Sequence, residues 1–329
     1  EGLPAVYTES DEEAETLEIY LRDRVMNTKI ILSYTIFENL PVIIRNTRFV
    51  HEGESSIVPG RAMSLNLDLP DDRYEMVELT GAWARERYVK TAPLHEGIQA
   101  IYSMRGHSSH QFNPFFALKR PETTEDAGEA IGISLVYSGN FLGQTAVDTF
   151  GVARAMIGIH PEGFSWTLKK GETFQTPEAE LVYSGEGLGK MSRTFHRLYR
   201  KRLARGYWRD RVRPVVINNW EATFMDFTED KILKFAETAR KLGVEMMVLD
   251  DGWFGHRDDD TSSLGDWYPD PKKLPQGIRG LAEKIENMGM KFGLWIEPEM
   301  VNKDSRLYEE HPDWVINVPY RDACHGRNQ

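Results

Sequence analysis

Apolar and polar residues alternate with a period of two through most of the first half of the chain. In TLEIYL, Leu17, Ile19 and Leu21 alternate with Glu18 and Tyr20, and in KIILSYTIF the positions Ile30, Leu32, Tyr34 and Ile36 share one face. VIIRNTRFV, GISLVYSGNF and ELVYSGEG repeat the pattern, and turn-forming stretches such as HEGES and PGR separate several of the runs. Successive side chains of an extended strand point to opposite faces, so each run offers one face to a core. Many short strands of this kind predict an antiparallel β-sandwich of large sheets over residues 1–185.

The pattern then lengthens. LGKMSRTFHRLYRKRLAR, residues 188–205, sets Met191, Phe195, Leu198 and Leu203 at roughly helical spacing with Arg and Lys between them. Its six basic residues from Arg193 to Arg205 would suit nucleic acid, but the rest of the chain is acidic. The segment therefore reads as a solvated linker helix over 186–213 between two domains. From Pro214 to Gln329 strand and helix alternate: PVVIN, a helix begun by Thr228 and stopped by Gly243, VEMMVL, a helix in IRGLAEKIENMG, MKFGLWI, and a helix at 304–310. Continuous apolar strands alternating with amphipathic helices predict parallel pairing, as in a (β/α)8 barrel or a doubly wound sheet. No Gly-x-Gly-x-x-Gly or P-loop stands at a strand–helix junction, which removes the main nucleotide reading.

Composition narrows the function. The 329 residues exceed one domain of about 100–200 residues, so two are expected. Net charge is -11, against nucleic acid or an anionic membrane as partner, and no apolar run approaches the roughly 18 residues of a membrane span. A single cysteine, Cys324, excludes an internal disulfide and fits a reducing compartment, so a cytoplasmic location is expected. The opening EGLPAVYTES shows neither an initiator methionine nor a leader, and part of the chain is expected upstream.

Ligands of parallel α/β folds sit at the carboxyl ends of the strands. Those ends read Asn218-Asn219-Trp220-Glu221, Asp250-Asp251-Gly252-Trp253-Phe254 and Trp295-Ile296-Glu297-Pro298-Glu299. Each joins a Trp to carboxylates or carboxamides. Indole faces stack on the C–H faces of pyranose rings while Asp, Glu and Asn bond hydroxyls, so the three tips suit a neutral polyhydroxylated ligand. Taken singly, an acid pair at a strand end is more often a cap or a loop ion pair, and a Trp in an apolar strand is usually core. Both acids can face one pocket only if the chain turns, which Gly252 permits. A divalent metal on the acids at 250, 251, 258–260, 297 and 299 is the rival reading, but DDDTSSLGD lacks calcium-loop spacing and His256 has no companion ligand. Asp258 to Asp260 read as a solvated loop, and Cys324 beside His325 has no orienting partner for a thiol nucleophile.

At these motifs the chain resembles a known family. NNWEATFMDF, VLDDGWFGHRDDD, SLGDW, FGLWIEPEMV, HPDWVI and GRNQ, with GAWARERY, SSHQFNPFFAL and VYSGNF, resemble the α-galactosidases (melibiases) of glycoside hydrolase family 36. The resemblance implies an N-terminal β-supersandwich followed by the first three βα units of a (β/α)8 TIM barrel. It implies retaining exo-hydrolysis of terminal α-1,6-linked galactose from melibiose- and raffinose-type oligosaccharides, without cofactor or metal, by a homo-oligomer that is often a tetramer in the family. Trp220, Asp250, Asp251 and Trp295 would line the galactose subsite with Arg327, and Trp253, Glu297 and Glu299 would stand at the pocket rim. The family's nucleophile lies in a Lys-Trp-Asp motif on the fourth barrel strand and its acid/base Asp on the sixth. The chain holds no Lys-Trp-Asp, so both are expected beyond Gln329, and residues 1–329 alone are expected to be inactive. A galactose-binding or raffinose-synthase-like galactosyl-transferring relative is the first alternative, and a metal-dependent barrel enzyme the second.

Overall fold

The computed structural model describes residues 5–326. The chain divides into two compact units, Glu1–Arg209 and Asp210–Gln329.

The first unit is built from antiparallel strands. β1 (Ala14–Asp23), β2 (Thr28–Phe37) and β3 (Val42–His51) form a meander in which Ile19 faces Leu32 and Leu32 faces Thr47. There follow β4 (Met63–Asp68), β5 (Glu75–Ala82), β6 (Arg85–Pro93), β7 (Gly97–Ser103) and β8 (Phe112–Lys119). β9 (Ala130–Leu135), β10 (Phe141–Val147), β11 (Ala153–Ile159), β12 (Thr173–Gln175) and β13 (Ala179–Ser184) complete the set. The larger sheet runs β1-β2-β3-β13-β9-β8-β5-β6 with β12 beside β3, and the smaller runs β4-β11-β10-β7.

β8 shows why its sequence is apolar without interruption. Phe116 and Leu118 point into a core shared with Leu65, Ile101, Phe141 and Ile157 of the smaller sheet. Phe115 and Ala117 face the other way, onto a second core with Met191, Phe195 and Leu198. Those three belong to helix α1 (Gly187–Leu198), so the large sheet is covered on both faces here.

The expected solvated linker is therefore corrected. α1 docks on the sheet, because three large apolar side chains on one face each gain about 1.5–3 kcal/mol by leaving water. A glycine makes room: a Cβ on Gly132 would stand 2.5 Å from the Phe195 ring and 2.7 Å from Met191 Sδ. The basic residues beyond α1 are not a free surface either, since Arg202 donates from Nε and Nη2 to the two Glu13 oxygens at 2.7 Å each.

The second unit carries a parallel sheet ordered β14 (Val216–Asn218), β15 (Met246–Leu249), β16 (Lys291–Leu294). Between β14 and β15 lie the short α2 (Trp220–Thr223) and α3 (Glu229–Lys241), between β15 and β16 lies α4 (Gly277–Asn287), and α5 (Arg306–Glu310) follows. Thr228 caps α3 by accepting from Lys231 N, with Glu229 and Asp230 in the first turn where the helix dipole favours acids. Gly243, at φ +89°, ends it. Ile232, Ala236, Leu281 and Ile285 of the helices close over Met247 and Leu249 of β15. On the opposite sheet face Val216 is exposed, and Leu294, paired with Leu249 at the sheet edge, and Ile296 beyond β16 are exposed too, where continuous apolar strands had predicted burial.

One buried acid gives the first unit a pH dependence. Glu180 of β13 is 0% exposed, and burial pushes its carboxyl up to about 7, opposed by the Tyr199 hydroxyl and reinforced by Glu178. The folded state thus binds this proton more tightly than the unfolded chain, whose value is near 4.5. The stabilisation is complete below about pH 4.5 and lost as pH rises through about 7, a change of about 3 kcal/mol. Glu180→Gln should remove this fall, raising stability at about pH 8 relative to wild type. Urea unfolding at about pH 5 and about pH 8 checks it, and a variant with the wild-type difference would refute the assignment.

Candidate functional site

The three parallel strands end side by side, and hydrogen bonds tie the first two tips together. Asn218 Nδ2 donates to Asp250 Oδ2, and Asn218 Oδ1 accepts from Trp220 N at 2.7 Å. Asn219, fully buried, accepts from Asp250 N at 2.8 Å and donates to Thr223 Oγ1 at 2.8 Å. Asp250 Oδ1 accepts from Asp251 N at 2.7 Å. A carboxylate has about four acceptor positions, and these bonds use two, so the half-buried Asp250 retains capacity for a ligand's hydroxyls. At the third tip, Trp295 N donates to Leu249 O at 2.9 Å, which carries the ladder one residue past β16 and leaves the indole half-buried. Trp220 is also half-buried, edge-on to Phe224 at 5.2 Å.

Asp251 goes elsewhere. The chain reverses at Gly252, whose φ is +94°, and a Cβ there would lie 2.9 Å from Met225 Cα. The Asp251 carboxylate, 6% exposed, turns into the loop that follows β15. There it meets Arg257: Nε lies 3.0 Å from Oδ1 and Nη2 2.9 Å from Oδ2, while Gly252 N donates to Oδ1 at 2.7 Å. Lys273 braces the same loop, its Nζ donating to the carbonyls of Met225, Gly252 and Arg257 at 3.0, 2.9 and 3.0 Å.

The remaining expected site residues scatter. Trp253, placed at the rim by the sequence reading, is 3% exposed and packs against Phe254 and Trp267, its indole N–H bonded to Trp295 O at 2.9 Å. That is a correction: the reversal at Gly252 sends this ring into the core. Glu297 is buried, and Glu299 is exposed, beside Tyr308, Trp314 and Ile316 on a separate cavity of about 730 Å³. Arg327 lies outside the described residues. Asp258 to Asp260 are exposed, with Asp258 Oδ1 2.8 Å from Lys273 Nζ. Among the described residues no three His, Cys, Asp or Glu side chains gather as a metal site.

Sequence reasoning missed Arg257 and Lys273. Arg257 precedes three acids, and a cation in such a run reads as solvated. The one available signal was charge: a buried aspartate after a buried strand requires a cation nearby.

Residues 1–169 match the pattern described as Glycosyl hydrolase family 36 N-terminal domain, and residues 173–329 match the one described as Melibiase. The chain belongs to glycoside hydrolase family 36. Alpha-galactosidase AgaA of Geobacillus stearothermophilus is 53% identical over 328 residues, covering 100% of this family-36 chain and 45% of AgaA. The crystal structure of AgaB, a GH36 alpha-galactosidase from the same organism, superposes with a TM-score of 0.97 at 52% identity, over 99% of this chain and 45% of AgaB. That of an AgaA variant in complex with raffinose gives 0.97 at 53%, over 99% and 46%. The chain spans just under half the length of these relatives. It comprises the family's β-rich N-terminal domain and the start of the melibiase domain.

Lys273 gives this family-36 site a measurable brace. Lys273→Met would leave three buried carbonyls without their donor and should cost about 2–4 kcal/mol. Urea unfolding followed by tryptophan fluorescence measures it, and a loss under about 0.5 kcal/mol would mark the loop as solvated instead.

Proposed function

We propose that the protein carrying this sequence is a retaining exo-α-galactosidase that releases terminal α-1,6-linked galactose from raffinose-type oligosaccharides. The observation that carries the proposal is the Asp250 carboxylate, half-exposed at a parallel strand tip and clamped by Asn218, with indole-bearing tips on either side. The relatives' names support it, as does the raffinose complex of the AgaA variant.

The proposed galactose subsite is lined by Trp220, Asp250, Asp251 and Trp295, with Arg327 as a further contact. Indole faces stack on the C–H face of the sugar. Asp250 turns its remaining lone pairs to the hydroxyls around the axial O4 and O6, and Asp251 forms the floor, its charge held by Arg257. Glu297 and Glu299 stay in supporting places. Retention needs a nucleophile and an acid/base carboxylate about 5–5.5 Å apart, and both are assigned to the portion of the protein beyond Gln329. The second unit is proposed to open a (β/α)8 barrel, which would continue the sheet past the free edge of β16, where Leu294 is exposed, and enclose the face that carries Val216. The whole protein is proposed to form a homo-oligomer, and exposed Trp83 and Val89 offer apolar surface for it.

The whole protein should hydrolyse an aryl α-galactoside in the presence of EDTA, with the α-anomer of galactose as first product by NMR. Raffinose should yield free galactose, and a longer oligosaccharide would mean a transferase instead. Residues 1–329 alone should show no turnover, and any turnover by that piece would undo the residue assignment. Asp250→Asn in the whole protein should lower kcat/KM about 100-fold, the loss of about 3 kcal/mol from two charged hydrogen bonds. Unchanged kcat/KM would remove Asp250 from the site.

A further inference from the structure

We infer that Arg257 is a positioning residue for the sugar-binding tip, acting on Asp250 through Asp251; the inference rests on the galactosidase reading above. Arg257 is 1% exposed, and a guanidinium so buried must sit opposite a carboxylate. Its Nε and Nη2 grip Asp251 in the fork geometry peculiar to arginine, while Nη1 donates to Ser262 O at 2.7 Å. The next link is covalent. The backbone N–H of the gripped Asp251 is the group that donates to Asp250 Oδ1 at 2.7 Å. Fixing the Asp251 side chain thus fixes the peptide that aims Asp250, and Asn218 holds the other oxygen from the neighbouring strand. The Arg257 carbonyl is in turn held by Lys273 Nζ at 3.0 Å, so the guanidinium stands on a braced support.

Arg257 touches no substrate in this arrangement. Its effect is to select one orientation of Asp250 for hydroxyl binding. Because a hydroxyl contact of this kind serves ground state and transition state alike, its loss shows mainly in affinity.

The test uses the whole protein with an aryl α-galactoside as substrate and galactose as competing product. Arg257→Gln should raise both KM and the galactose inhibition constant at least about tenfold, with kcat per active site falling less than about threefold. A residue that only stabilised the fold would reduce the active fraction, lowering apparent kcat and leaving KM and the inhibition constant in place. Arg257→Lys retains the buried positive charge and so folds even where the Gln variant does not. Lacking the fork, it should give intermediate values of both constants. KM and inhibition constant within about twofold of wild type in folded Arg257→Lys would overturn the assignment while leaving the galactosidase reading intact. A wild-type protein without galactosidase activity would overturn both.

Discussion

A guanidinium taken out of water must be compensated where it sits, and the loop after β15 is organised around that requirement. Arg257 is the largest of the fully buried side chains among the described residues. Breaking a pair of this sort leaves an uncompensated charge at a cost of about 3–5 kcal/mol, so the loop has few conformations in which Arg257 and Asp251 are both satisfied. The reversal at Gly252, the inward turn of Trp253 and the three-carbonyl seat of Lys273 all belong to that conformation. A site on a flexible loop would blur its own geometry. Here the segment that carries Asp250 has its own polar core.

The two adjacent aspartates consequently do different work. Extended backbone sends neighbouring side chains to opposite sides, and the turn after them does not undo this. Asp250 stays at the strand tip, bridged to β14 through Asn218, and Asp251 goes inward to the guanidinium. Asp250 keeps acceptors turned outward, while Asp251 lies beneath with its charge held by Arg257. The same division separates the tryptophans: Trp220 and Trp295 keep part of their rings in the open, and Trp253 serves as packing.

In the first unit the constraint is apolar. A sheet with residues such as Phe115 to Leu118 in succession has no polar face at its centre, so it needs cover on both sides. The smaller sheet supplies one cover and α1 the other, with the bare backbone of Gly132 admitting Phe195 and Met191. The exposed charges of α1, conspicuous in the sequence, lie on the face left over after that docking.

Period-two and helical spacing marked β1, β2, β3, β9 and β13, the three parallel strands and the helices α1, α3, α4 and α5, together with the caps at Thr228 and Gly243 and the change from antiparallel to parallel pairing, because each follows from local sterics and one-sided burial. The sequence alone also brought Asn218, Asp250 and Trp295 to neighbouring ends, since parallel strands must finish at one edge. It could not say which way a side chain turns beyond a strand end. That Trp253 faces inward depends on the positive φ at Gly252, and what Asp251 meets there depends on Arg257, Lys273 and Met225, partners from 6 to more than 20 positions away along the chain. For the segment 188–205, a run of basic residues beside the apolar ones suggested a solvated helix, and only the presence of a sheet face with a glycine gap decided that α1 docks. Orientation past an element's end is a property of the partners the fold delivers, and those exist only in three dimensions.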